Sequence, residues 1–159
     1  MGDHTECIQV DFDPTIVSYS DLLDEFFAMH NATRLAHSDQ YASLILHIGE
    51  DQGEAAAESA GRYGALLGAP VLTRIRPLDR FYVAEDYHQK YGLRNDRALL
   101  AEMQGYYPDE ARLRESTAAM RLNGFAYNGG RASLLTSEIE SYGLSEAGEM
   151  HLRGIVGRR

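Results

Sequence analysis

The sequence predicts a domain of the α+β class, a small sheet with packed helices that is followed by a helical tail. Two observations support this class: short apolar runs typical of strands alternate with helical periodicity in the first half of the chain, and no strand pattern follows Pro77. The length of 159 residues fits one domain, since a domain has roughly 100–200 residues. A mixed, layered architecture is therefore expected rather than a helical bundle.

Three strands are predicted, all in the first half of the chain. The first covers residues 4–12, where apolar and polar residues alternate, and this alternation puts Glu6 on the apolar face. Pro14 is expected to end this strand, because proline cannot donate a hydrogen bond to a ladder. The second and third strands are expected over residues 42–48 and 71–76.

Helices are predicted between the strands and throughout the tail. Ser18 and Asp21 have the spacing of a capping pair and begin an amphipathic helix. An alanine-rich helix is expected over residues 52–67. The helices expected in the tail cover residues 84–91, 95–104, 108–122, 132–141 and 145–155, with breaks at Asn123-Gly124 and Asn128-Gly129-Gly130.

Composition argues against several classes of protein. The net charge of −9 disfavours a nucleic-acid partner, because phosphate binding depends on clustered lysine and arginine. The single cysteine, Cys7, cannot form an intramolecular disulfide, which indicates a reducing compartment. No apolar run approaches the ~18 residues of a membrane helix, and the first residues do not read as a signal peptide. We expect a cytoplasmic protein with no membrane partner.

One carboxylate and histidine pair has the spacing of metal ligands. Glu85 and His88 are three residues apart, which places both on one helix face. One such pair does not make a site, and neither a metal nor a cofactor is expected. We interpret this segment as a helix start, with Tyr82, Tyr87 and Tyr91 packing it against the sheet.

Three strings of residues resemble one protein family. Residues 3–6 read Asp-His-Thr-Glu, residues 40–43 read Gln-Tyr-Ala-Ser, and residues 81–91 read Phe-Tyr-Val-Ala-Glu-Asp-Tyr-His-Gln-Lys-Tyr. In this order they resemble the A-type peptide methionine sulfoxide reductases, and residues 118–124 are similar to the longer tail of some members. The resemblance covers nearly the whole chain.

The resemblance implies a fold and a division of the chain. It implies the ferredoxin-like fold of the A-type reductases without its first strand-helix unit. The family-like domain then covers residues 1–93, as the C-terminal portion of the family domain. Residues 94–159 are expected to form a helical extension packed on it.

The resemblance also implies an activity, the thiol-dependent reduction of methionine S-sulfoxide, free or in peptides, in the repair of oxidised proteins. A cysteine thiolate attacks the sulfoxide sulfur, and thioredoxin or another dithiol reduces the resulting sulfenic acid through a disulfide. A buried glutamate helped by tyrosine hydroxyls protonates the sulfoxide oxygen, and the motifs assign these roles to Glu6 and Tyr41. Strand alternation separately places Glu6 on an apolar face, where burial favours the protonated form that a general acid needs.

The sequence departs from the family at the nucleophile. It has no Gly-Cys-Phe-Trp motif and no tryptophan, so the strand-helix-strand part that carries them, roughly 30 residues, is not found here. Five residues before Tyr41, where the family commonly has an aspartate, this chain has Ala36. Cys7 is not expected to replace the nucleophile, because adjacent strand residues point to opposite faces. We expect a truncated form that is inactive by itself.

A non-enzymatic function is the alternative. A family domain without its first strand presents an open sheet edge and an apolar face, which natural proteins cover or pair. The chain is then a binding or assembly subunit built on the same fold, and it forms a homo-oligomer through the exposed edge.

Overall fold

The computed structural model describes residues 4–157, so Asp3 of the first motif lies outside the described residues. The chain divides into two compact units, one ending at Phe81 and the other beginning at Tyr82. Helices and a small two-stranded sheet are present together, which confirms the predicted α+β class. The boundary expected after Leu93 concerns the extent of the family domain and stays a prediction.

The first unit is a β-α-β arrangement preceded by a helix. Its elements are α1 (Tyr19–Ala28), β1 (Leu44–His47), α2 (Glu50–Leu67) and β2 (Arg74–Pro77), with a 3₁₀ turn at Asp39–Tyr41 before β1. The two strands pair in parallel, with Leu44 opposite Arg74 and His47 opposite Pro77. Parallel strands need a crossover connection, and α2 supplies it.

Helix α1 begins where the sequence predicts, and α2 begins at Glu50, two residues before its predicted start. The Ser18 hydroxyl accepts from the backbone N–H of Asp21 at 3.1 Å, and the Asp21 carboxylate accepts from the backbone N–H of Ser18 at 2.9 Å, so the capping box is confirmed. The α1 and α2 helices pack through stacked rings of Phe27 and Tyr63, whose centroids are 4.9 Å apart. The buried apolar residues of this unit are Leu23, Phe27, Ala32, Ile45 and Ala56.

The strand predicted over residues 4–12 is wrong. These residues have no regular secondary structure, and the side chains of Glu6, Ile8 and Val10 are exposed, Ile8 by 87%. The alternating pattern makes a strand only where a neighbouring strand accepts its backbone groups and a core accepts its apolar face. Here the backbone N–H of Glu6 donates to the turn residue Gln40 instead.

The second unit is helical. Its helices are α3 (Tyr91–Asn95), α4 (Arg97–Tyr106), α5 (Glu110–Glu115), α6 (Thr117–Asn128), α7 (Ala132–Glu138) and α8 (Glu146–Val156), with 3₁₀ turns at Asp86–His88 and Ile139–Tyr142. The buried core is made by Leu93, Leu99, Met103, Leu113, Ala119, Leu122, Phe125, Leu135, Ile139, Tyr142, Leu152 and Val156. Within residues 4–157, no helix is long and apolar enough to cross a bilayer.

Three expectations for this half of the chain are wrong in detail. Residues 84–91 form only a 3₁₀ turn before α3, and Tyr82, Tyr87 and Tyr91 are each more than half exposed rather than packed. The predicted break at residues 123–124 lies inside α6, because Leu122 and Phe125 are buried on either side of it. The helix predicted over residues 108–122 is divided at Ser116, whose hydroxyl caps α6 by accepting from the N–H of Ala119 at 3.1 Å.

Gly92 allows a close contact between α3 and α6 in the second unit. It is buried in α3 against α6, and a Cβ atom there would lie 2.7 Å from the carbonyl oxygen of Asn123 and 2.9 Å from the backbone nitrogen of Tyr127. Both are backbone atoms, so they cannot move aside as a flexible side chain would. The next residue, Leu93, donates its N–H to the Asn123 side-chain oxygen at 3.3 Å.

We expect Gly92→Ala to destabilise the protein by about 1–3 kcal/mol, because a methyl group forced into this contact overpacks the α3 and α6 interface. Gly105→Ala is the matched control, since Gly105 lies in α4 and a Cβ atom there would have no neighbouring atom within 4 Å. It should stabilise by roughly 0.5–1 kcal/mol through its better helix propensity. Urea unfolding followed by circular dichroism measures both, and equal stability of the two variants would contradict this packing.

Candidate functional site

The turn at Asp39–Tyr41 holds Glu6 by backbone and side chain together. The Glu6 backbone N–H donates to the carbonyl oxygen of Gln40 at 2.8 Å, and the Gln40 amide Nε2 donates to Glu6 Oε1 at 2.7 Å. The Thr5 hydroxyl donates to the carbonyl oxygen of Asp39 at 2.8 Å. Two motifs that lie 34 residues apart in the sequence are therefore in direct contact.

Glu6 lies in a more open environment than the strand pattern predicts. Its side chain is exposed, so the expectation that it lies on a buried apolar face is wrong. Tyr41 follows Gln40 in the same turn and its side chain is 64% exposed, which leaves its hydroxyl open to a ligand. The structure thus brings the two candidate residues to one turn, and their catalytic roles stay a prediction.

The turn is fixed to the sheet through Asp39. Asp39 Oδ1 accepts from Arg74 Nη2 at 2.6 Å, and Arg74 is the first residue of β2. The Arg74 backbone N–H also donates to the carbonyl oxygen of Ser43, just before β1. Because one arginine contacts both the turn and the start of β1, the position of the turn depends on the strand pairing.

A chain of hydrogen bonds connects α1 to the approach of both strands. His30 Nδ1 lies 2.9 Å from the carbonyl oxygen of Phe26, and His30 Nε2 lies 2.8 Å from Ser43 Oγ, which is 2.7 Å from Thr73 Oγ1. A carbonyl only accepts, so Nδ1 is the donor, and in the neutral ring Nε2 accepts from the Ser43 hydroxyl. Ser43 then accepts from Thr73, and every group in the chain has a partner.

Cys7 follows Glu6 but does not have the environment of a nucleophile. Its thiol donates to the carbonyl oxygen of Thr5 at 3.3 Å. Cys7 is exposed as a residue, but partial desolvation of its sulfur raises the pKa of the thiol above its ordinary value. Reactive cysteines have lowered pKa values and lie near cations or helix N-termini, so this thiol is poorly suited to attack a sulfoxide.

Sequence reasoning missed the contact of Gln40 with Glu6 and the hydrogen bonds of His30. Gln40 is a signal only as part of the Gln-Tyr motif, and nothing in its local sequence indicates the contact with Glu6. His30 has no ligand spacing to another histidine, and its bonds become visible only when α1 meets the strands.

The carboxylate and histidine pair with metal-ligand spacing is not part of a larger cluster. His88 Nε2 lies 3.9 Å from Glu85 Oε2, and residues 4–157 contain no group of three His, Cys, Asp or Glu side chains that could hold a metal ion.

The family model described as "Peptide methionine sulfoxide reductase" matches residues 1–119. The chain belongs to this family. A peptide methionine sulfoxide reductase of Drosophila melanogaster is 35% identical over 147 residues, which cover 91% of this chain and 58% of that protein. The protein named peptide methionine sulfoxide reductase MsrA in Deinococcus radiodurans is 36% identical over 125 residues, which cover 69% of this chain and 61% of that protein.

These relatives confirm the A-type family that the motifs indicate, but the match covers only part of each relative's length. A relative in Oryza sativa, peptide methionine sulfoxide reductase A5, is 34% identical over 132 residues that cover 51% of its length. This reductase-family chain therefore matches between 51% and 61% of the length of these three relatives. The match to the Drosophila protein covers most of both units of this chain.

We expect Cys7 to react with iodoacetamide more slowly at pH 7 than the thiol of N-acetylcysteine amide, because a raised pKa lowers the thiolate fraction. The rate should rise with pH and reach its half-maximum at a higher pH than for N-acetylcysteine amide. Intact-mass spectrometry follows the reaction cleanly, since Cys7 is the single cysteine. A half-maximum below that of N-acetylcysteine amide would show an activated thiol and contradict the raised pKa.

Proposed function

We propose that this chain contributes the acid side of a thiol-dependent reduction of methionine S-sulfoxide, free or in peptides, in the repair of oxidised proteins. Glu6 donates a proton to the sulfoxide oxygen, and the Tyr41 hydroxyl forms a hydrogen bond to the same oxygen. The observation that carries the proposal is the contact of Gln40 Nε2 with Glu6 Oε1. It fixes one carboxyl oxygen as an acceptor and leaves Oε2 to carry the proton.

The proposed reaction transfers the sulfoxide oxygen to a cysteine and then to water. A thiolate sulfur forms a bond to the sulfoxide sulfur, and the oxygen takes the proton of Glu6. The oxygen ends on the attacking cysteine as a sulfenic acid, and methionine is released. Thioredoxin or another dithiol supplies two electrons, reduces the sulfenic acid through a disulfide and releases the oxygen as water. Glu6 then recovers its proton from solvent.

Cys7 does not supply the thiolate in this proposal. Its raised pKa and its bond to the Thr5 carbonyl oxygen support that assignment, and the other 158 residues contain no cysteine. The nucleophile comes from outside these residues, so the 159-residue chain by itself does not reduce the sulfoxide. We place the activity in the cytoplasm, as the single cysteine suggests, and without a nucleic-acid partner, as the net charge suggests. No membrane partner is part of the proposal.

The 159-residue chain should show no reduction of N-acetyl-methionine S-sulfoxide with dithiothreitol above a blank without protein, and Cys7→Ser should behave in the same way. Joining a segment that bears the family's Gly-Cys-Phe-Trp motif ahead of the chain should produce turnover. In that fusion, Glu6→Gln should lower kcat/KM by roughly 10²–10⁴-fold, because general acid catalysis contributes about that factor. Product formation measured by chromatography distinguishes these outcomes.

Glu6→Gln is informative because the new amide oxygen still accepts from Gln40, so the local structure is kept while the proton is lost. Asp11→Asn removes another exposed carboxylate of the same segment and should leave turnover unchanged. Turnover of the unfused chain that Cys7→Ser abolishes would show that Cys7 is the nucleophile. A fusion that is fully active with Glu6→Gln would exclude Glu6 as the acid.

The second candidate function is a non-catalytic subunit that assembles with a second copy of this chain. The sheet of residues 4–157 has two strands, so β1 and β2 each lack a ladder on their outer side. Ile8 is 87% exposed and Val10 is 47% exposed in the same unit. Open strand edges and exposed apolar side chains favour pairing with another chain.

If this second function is right, the purified chain should sediment as a concentration-dependent dimer or higher oligomer. Ile8→Asp should shift the equilibrium toward monomer, because it places a charge on the apolar contact. Gln9→Asp is the control, since it adds the same charge at the neighbouring exposed position. A monomer at every concentration, or equal dissociation by both variants, would contradict assembly through this segment.

A further inference from the structure

A cleft of about 240 Å³ shares a wall with the turn that holds Glu6. Its lining comes from three segments, the loop before the turn, the start of β1 and the approach to β2. The residues that matter for its chemistry are Arg34, Asp39, Ser43 and Arg74. All of these segments belong to the first unit.

The walls of this cleft are held by backbone and side-chain bonds. The N–H of Leu72 donates to the carbonyl oxygen of Ala32 at 2.7 Å, and the N–H of Arg74 donates to the carbonyl oxygen of Ser43 at 3.0 Å. The Ser43 hydroxyl is held by His30 on one side. The cleft is therefore formed before any ligand arrives, which lowers the entropic cost of binding.

The cleft has an excess of positive charge in an acidic protein. Two arginines and one aspartate line it, which leaves one positive charge, although the whole chain has a net charge of −9. Arg74 is engaged by Asp39. The exposed guanidinium of Arg34 has no hydrogen-bond or ion-pair partner among residues 4–157. A guanidinium has five N–H donors in a planar fork that matches a carboxylate.

The cleft is next to the place where the proposed substrate reacts. Asp39 lines the cleft and its carbonyl oxygen binds Thr5, while the following residue, Gln40, holds Glu6. An extended peptide advances about 3.3–3.6 Å per residue. A residue one or two positions from a methionine sulfoxide at Glu6 can therefore reach the cleft.

We propose that this cleft binds a carboxylate of the substrate, one or two residues away from the methionine sulfoxide. The carboxylate belongs to an aspartate or glutamate side chain or to the C-terminus of a peptide. Arg34 binds it through paired N–H donors, and Arg74 is a positioning residue that holds the wall through Asp39. The inference rests on the proposed function, because Glu6 sets where the sulfoxide lies.

The test uses the ¹⁵N-labelled 159-residue chain and blocked tetrapeptides with methionine S-sulfoxide at the second position and either aspartate or asparagine at the third. NMR titration gives the dissociation constants. The aspartate peptide should bind about twofold to fivefold more tightly, which is the size of an ion pair at an exposed site. High salt should reduce this ratio.

Arg34→Gln should bring the ratio of the two peptides close to one, whereas Arg62→Gln, an exposed arginine on α2 that does not line the cleft, should leave it unchanged. A second pair of peptides, ending in a free carboxylate or an amide directly after the sulfoxide residue, distinguishes a C-terminal carboxylate from an acidic side chain. If neither pair shows a preference, or if the preference survives Arg34→Gln, the proposal is overturned.

Peptides with norleucine in place of the sulfoxide separate this inference from the proposed function. If both are right, the aspartate preference persists and the sulfoxide peptides bind more tightly than the norleucine peptides. An aspartate preference with no effect of the sulfoxide supports the cleft and contradicts the role of Glu6. Tighter binding of sulfoxide peptides with no aspartate preference supports Glu6 and contradicts the cleft.

Discussion

The contact between Gln40 and Glu6 is the interaction on which the chemistry that we propose for the first unit depends. Glu6 lies in a segment without regular structure, so its position is set by the hydrogen bonds that it makes with Gln40. Gln40 lies between Asp39, which binds Arg74 at the start of β2, and Tyr41, whose exposed side chain is free to meet a ligand. The position of the exposed carboxylate therefore depends on the sheet through this turn, and Asp39 of the turn also lines the cleft that contains Arg34.

The two units of the chain are stabilised in different ways. The first unit has a small core, and much of its order comes from polar links such as the bonds of His30 to Phe26 and Ser43. The second unit is a helical cluster with a larger apolar core, where Gly92 permits a close approach of α3 and α6. A core of this kind tolerates little change in volume, whereas the polar links of the first unit depend on particular donors and acceptors.

Local sequence signals predicted the start of α1 better than the first strand. The capping box of Ser18 and Asp21 works within four residues, so the start of α1 needs no tertiary information. The strand predicted from the alternation over residues 4–12 is wrong because a strand also needs a neighbouring strand. The backbone of this segment forms a hydrogen bond with a turn instead. The break expected at residues 123–124 failed for a related reason, since burial of Leu122 and Phe125 carries α6 through a glycine.

The sequence by itself determined the family, the fold class and the two motifs that carry Glu6 and Tyr41, because those depend on residue identity and order. Tertiary structure decided that the two motifs meet through Gln40 and that Glu6 is exposed. It also decided that the Arg34 guanidinium lines the neighbouring cleft with no hydrogen-bond or ion-pair partner among residues 4–157. These facts depend on contacts between residues about 30 or more positions apart. Their energies appear only when the chain has folded, so no local pattern encodes them.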